Sequence, residues 1–177
     1  MDDGTRPDHD EEDAPGGLFF VLLRHGIAEE RSDGRNDEER SLTAKGSSRM
    51  KDIGRALPLI VPKAELIISS PLARCLQTSL WVAKGYGRKL KIESSDALKP
   101  MARPKEFLTL IEQLSNRVVI FVGHEPNLTA IMKEITGSKI PNLELKKGGC
   151  YGVSMDGASE GMLEWLLTPR ILRKLRK

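Results

Sequence analysis

The sequence predicts an α/β fold: a three-layer sandwich with a mostly parallel central sheet, helices on both faces, and an edge hairpin near the C-terminus. Three observations carry that expectation. Two runs of strand length, Leu18-Phe19-Phe20-Val21-Leu22-Leu23 and Val118-Val119-Ile120-Phe121-Val122, are apolar at every position, as strands covered on both faces are. Segments of helical period alternate with strand-like segments along the chain. Gly149 to Met155 and Met162 to Leu167 flank Asp156-Gly157, which reads as a hairpin at a sheet edge.

Residues 1 to 17 stand apart. They hold seven acids against Arg6 alone, a net charge of −6, and almost no apolar side chains, so this leader cannot offset the entropy of ordering and is expected to be disordered. Residues 18 to 177 are expected to form a single domain with a basic C-terminal tail. The whole chain is +3, which leaves that body at +9, a bias toward anionic partners such as phosphates or acidic proteins. There is neither a basic start followed by an apolar run nor a span of about 20 apolar residues, and a soluble cytoplasmic protein without membrane or nucleic-acid partners is expected. Two cysteines, Cys75 and Cys150, read as free thiols of a reducing compartment.

The first strand ends abruptly in Arg24-His25-Gly26, and Ile27 to Arg40 is a polar loop that could border a site. Thr43 is a plausible N-cap for a helix carrying Met50, Ile53 and Leu57, which Pro58 and Pro62 should stop. Leu66 to Ile68 is a short buried strand. Ser69-Ser70-Pro71 then predicts a helix start with Ser70 as cap and Pro71 at the first helical position, followed by an apolar face of Leu72, Cys75, Leu76, Leu80 and Ala83. Leu90 to Glu93 reads as a further strand, and Pro104 opens a helix with Phe107, Leu108, Ile111 and Leu114 on one side. The strand at Val118 ends in Gly123-His124-Glu125-Pro126, before a helix marked by Leu128, Ile131, Met132 and Ile135. Arg170 to Lys177 forms a short basic helix end, read as solvated.

Outside the leader there are two histidines, and each follows a buried strand directly. In an open parallel sheet, ligands bind outside the carboxyl ends of the strands, so His25 and His124 share an edge with Arg74. Arg74 lies in the first turn of its helix, where the dipole disfavours a cation but a bound anion would reverse the balance. Two nearby arginines disfavour imidazolium, so His25 is expected to stay unprotonated near neutral pH.

Four motifs stand in order: Leu23-Arg24-His25-Gly26, Leu42-Thr43-x-x-Gly46, Ser69-Ser70-Pro71-x-x-Arg74-x-x-Gln77-Thr78, and Val122-Gly123-His124-Glu125-Pro126. Together they resemble the histidine phosphatase superfamily, with its phosphoglycerate-mutase-like fold, and in particular its short SixA-type phosphohistidine phosphatases. The likeness runs from about Leu18 to the Trp165-Leu166-Leu167-Thr168-Pro169 region. It implies that His25 is a covalent nucleophile, that Arg24 and Arg74 clamp the phosphoryl group, and that His124 completes the pocket. Gly26 would let the backbone approach the phosphate closely.

No cofactor is expected, and no metal: a zinc site needs three or four ligands, no His-x-x-x-His or paired-cysteine spacing occurs, and the arginines would repel a dication. Larger members of the superfamily protonate a leaving alcohol with a glutamate between the clamp arginine and the second histidine, a stretch that here reads Ala97-Leu98-Lys99-Pro100-Met101-Ala102-Arg103-Pro104. Glu125, Asp96, Glu29 and Glu30 are the remaining acids to consider. Lack of a dedicated acid favours a P–N bond, whose nitrogen protonates with less help than an ester oxygen. The expected substrate is thus a phosphohistidine on a protein, in signal transduction. A small-molecule or nucleotide phosphomonoesterase and a non-catalytic phosphate-binding module are the alternatives, and the oligomeric state is open.

Overall fold

The apolar run after Gly17 forms β1 (Leu18–Arg24) in the centre of a six-stranded sheet. This computed structural model describes residues 17–32, 34, 36–114, 117–137, 144–155 and 160–175. The acidic leader up to residue 16 and the hairpin tip at Asp156-Gly157 lie outside them. The other strands are β2 (Leu66–Ser69), β3 (Lys91–Ser94), β4 (Val118–Gly123), β5 (Cys150–Met155) and β6 (Gly161–Leu167). Their order is β3-β2-β4-β1-β5-β6. β1, β2, β3 and β4 run parallel, whereas β5 and β6 are the antiparallel edge hairpin.

Side chains of β1 alternate between two cores, as the period of a strand requires. Phe20 and Leu22 face one side with Phe121, Phe107, Ile131 and Ile135. There, Phe20, Phe107 and Phe121 pack edge to face, with centroids 4.8 to 5.7 Å apart. That layer is covered by α3 (Pro104–Ile111) and α4 (Asn127–Ile135). Val21 and Leu23 face the other core with Met50, Ile53, Leu57, Cys75, Val82 and Leu172, under α1 (Ala44–Ile60), α2 (Ala73–Gly85) and α5 (Pro169–Leu175). The three-layer α/β sandwich is therefore observed, with a mixed, mostly parallel sheet.

Thr43 caps α1 as expected, its Oγ1 accepting the Gly46 N–H at 3.0 Å. Four local readings are corrected. α1 runs through Pro58 to Ile60; the proline lacks only the N–H that would have bonded Gly54 O, and that carbonyl lies at the crossing with α2. Ser70 is not the cap of α2: the cap position is Leu72, without a side-chain bond, and Ala73 begins the helix. Within α2, Leu80 points outward while Thr78 and Ser79 are buried, each hydroxyl donating to the carbonyl four residues back. At the basic end, Leu172 is fully buried, and Arg173 reaches Asp52 of α1 at 3.8 Å, so α5 is docked rather than simply solvated.

Candidate active site

β1 and β4 are neighbours, with Arg24 opposite Gly123, so the residues that follow them leave the sheet together. The His25 N–H donates to Gly123 O at 3.0 Å, and the His25 and His124 rings lie 5.0 Å apart between centroids. β2, on the other side of β4, delivers Ser70 and then Arg74 in the first turn of α2. The structure thus gathers His25, His124 and Arg74 at the carboxyl ends of three adjacent strands, with Arg24 ending β1.

His25 is 6% exposed. Its Nδ1 lies 2.7 Å from Gly26 O, and because a carbonyl oxygen only accepts, Nδ1 carries the proton and Nε2 keeps its lone pair. Burial pushes the imidazole down to about 3 against the pull of the Gly26 carbonyl, with Arg74, Arg24 and Lys147 adding to the depression. The neutral form is as expected from the sequence, but burial, not the arginines, is its first cause. His124 is pushed down to about 2, again by burial first and then by His25 and Arg74. Its Nε2 is 2.9 Å from Ser70 Oγ and 3.3 Å from Cys75 Sγ.

Arg74 is 2% exposed, unusual for a cation unless it is paired. Its Nη1 donates to Asp37 O at 2.7 Å and its Nη2 to Asp37 Oδ2 at 3.0 Å. Asp37 opens a 3-10 turn (Asp37–Glu39) of the loop after β1, and its carboxylate also receives Arg31 and Arg40. Burial alone would raise this carboxyl, yet Arg74 and the hydrogen bonds from Arg31 and Arg74 hold it at about 2. Arg24 is arranged in a similar way, its Nη1 donating to Leu145 O and to Glu144 Oε1 at 3.2 Å. Each of these arginines keeps a buried Nε–H without a partner among the described residues. The pair thus has two N–H donors that a further acceptor could satisfy.

Packing at Gly26 requires a glycine in its own right. A Cβ there would stand 2.6 Å from Met50 Cγ and 3.2 Å from Leu42 Cδ2, so the glycine admits α1 against the loop, while its N–H donates to Thr78 Oγ1 at 3.1 Å. Of the acids considered as proton donors, Glu30 is exposed on the loop after β1 and the other three are engaged elsewhere. Glu125 accepts the N–H groups of Leu145 and Thr129, Asp96 pairs with Lys99, and Glu29 accepts from Ser41 N. Sequence reasoning missed Asp37, one acid in a loop of several with no spacing to mark it. It also gave Ser70 to a cap and Cys75 to a helix face. Among the described residues no three His, Cys, Asp or Glu side chains are grouped to hold a metal, and no helix is long and apolar enough to cross a membrane.

Residues 20–104 match the sequence model of the histidine phosphatase superfamily (branch 1). An uncharacterized protein of Picosynechococcus sp. is 32% identical over 146 residues, covering 80% of this chain and 86% of its own length. Among solved structures, the protein histidine phosphatase SixA complexed with tungstate superposes with a TM-score of 0.78 at 21% identity, over 86% of this chain and 97% of that one. A candidate phosphohistidine phosphatase SixA from Agrobacterium tumefaciens gives a TM-score of 0.72 at 25% identity, over 85% and 97%. With two histidines and two arginines gathered at the sheet edge in the order the motifs predict, the chain belongs to the histidine phosphatase superfamily, and its fold is that of SixA.

Proposed function

We propose that this phosphatase removes the phosphoryl group from phosphohistidine on a cytoplasmic protein, through a phosphohistidine formed on His25. One observation carries the reading: a buried, uncharged His25 whose Nδ1–H is held by Gly26 O, leaving Nε2 free beside two arginines with unpartnered Nε–H groups. In the first step Nε2 attacks phosphorus, the bond from phosphorus to the substrate imidazole breaks, and the departing nitrogen keeps that bonding pair and with it takes a proton from solvent. Arg24 and Arg74 meet the charge on the equatorial oxygens with donors already desolvated and in position. In the second step water attacks the phosphohistidine, orthophosphate leaves, and the Nε2–P bonding pair returns to His25.

The acids around the site support the P–N assignment, since Glu125, Asp96 and Glu29 are bonded to backbone or lysine and Asp37 is fully ionised among arginines. None of them is arranged as a protonated donor for an ester oxygen. The test is a rate comparison on a phosphohistidine relay protein, on sugar phosphates and on nucleotides, with rapid-quench trapping of the enzyme. Expected are preference for the phosphohistidine protein and acid-labile label that disappears in His25→Ala. A clear preference for monoesters would make the chain a small-molecule phosphatase. No label at any time would leave a phosphate-binding module.

A further inference from the structure

His124 raises a question of proton placement that the motifs do not answer. An uncharged imidazole has one donor nitrogen and one acceptor nitrogen, and against a phosphoryl oxygen the first attracts while the second repels. Which nitrogen holds the proton therefore decides whether His124 helps or opposes binding.

We propose that Ser70 fixes this choice, donating its hydroxyl proton to His124 Nε2 so that the imidazole presents Nδ1–H to the phosphoryl group. This rests on the phosphatase reading above. Ser70 is fully buried at the end of β2, its N–H held by Val122 O at 2.8 Å, and its Oγ lies 2.9 Å from Nε2. The hydroxyl's other backbone neighbour, the Leu72 N–H at 3.5 Å, is itself a donor. Were Nε2 protonated, Ser70 Oγ would face two donors, and among the described residues its own proton would be left with the Cys75 sulfur, a weak acceptor. With Nε2 as acceptor, Leu72 N–H, Ser70 O–H and Nε2 satisfy one another in sequence.

Cys75 does not compete for the role. Its thiol faces Gly123 O at 3.7 Å, and its sulfur lies 3.3 Å from Nε2 and 4.0 Å from Nδ1, a position beside the ring that cannot line up with both nitrogens. Ser70 is thus a positioning residue: it acts on substrate only through His124.

The test uses the full chain with nitrogen-labelled histidines. In the wild type, the His124 nitrogen spectrum is expected to show Nδ1 protonated and Nε2 as a hydrogen-bond acceptor. Ser70→Ala should give mixed tautomers and weaken inorganic orthophosphate about tenfold, the scale of one hydrogen bond, and Ser70→Thr should restore both. A protonated Nε2 in the wild type overturns the proposal, and that spectrum needs no variant to fold. So does a Ser70→Ala protein with unchanged tautomer and affinity. If the tautomer is as expected but His25 never takes label, the phosphatase reading fails while the Ser70 assignment stands.

Discussion

At the scale of single residues, Asp37 and Arg74 show how a buried cation is neutralised. Both Nη atoms of Arg74 rest on Asp37, and the guanidinium is almost wholly out of water. Asp37→Asn removes the counter-charge and leaves Arg74 buried and unneutralised; because the Asp37 side chain is itself 34% exposed, the expected loss is about 1–2 kcal/mol rather than the larger cost of a fully buried pair. Orthophosphate can supply the missing negative charge. Urea unfolding with and without phosphate should accordingly show a larger recovery in Asp37→Asn than in the wild type, and equal responses would mean that Arg74 is neutralised by something else. His25 and His124 were legible in the sequence because each directly follows an apolar strand. Asp37 was not, because its importance comes from a loop folding back onto α2, which no local pattern encodes.

At the scale of elements, α1 and α2 meet backbone against backbone at Gly54 and Gly85. A Cβ on Gly85 would stand 1.9 Å from Gly54 O, and one on Gly54 would stand 2.3 Å from Trp81 O, both against backbone that cannot swing aside. Gly85→Ala therefore has to push the helices apart and should cost about 2–3 kcal/mol, seen as a lower denaturant midpoint with an unchanged slope. A neutral substitution would show that the helices can slide. Since α2 carries Arg74 and Cys75, the same change should weaken phosphate binding. Helix positions were read well from periodicity, as were the helix starts at Thr43 and Pro104; the end of α1 and the start of α2 were not. Ser-Ser-Pro has the chemistry of a helix start, but the Ser70 hydroxyl is used by His124, and the chain turns for two more residues before Ala73. Leu80 fitted the apolar spacing, yet the inward face of α2 is partly polar because Thr78 and Ser79 bond their own helix.

At the scale of the whole molecule, the two histidines make stability depend on pH. In the unfolded chain they take protons near 6.5, whereas in the fold they resist until about 3 and 2. Between these values the unfolded state binds more protons, so the fold is weakened as pH falls, by about 2–3 kcal/mol per pH unit around pH 5 for the pair. Asp37 adds a further loss only below its ordinary value of 3.8, toward about 2. Unfolding free energies from pH 7.5 to 4.5 should trace this slope, and His25→Ala together with His124→Ala should flatten it. A flat wild-type profile would mean that the histidines are protonated inside the fold.

The 5.0 Å between the His25 and His124 rings has an origin in the sheet. Arg24 opposes Gly123 in the parallel ladder, and one more step of the same register brings His25 against His124. Neighbouring strands lie about 4.8 Å apart in any sheet. The gauge of the proposed phosphate pocket is thus a lattice constant of β-structure, set by backbone hydrogen bonds rather than by the 92 residues from Gly26 to Arg117. Insertions and losses in that intervening chain can change what reaches the pocket without changing its width.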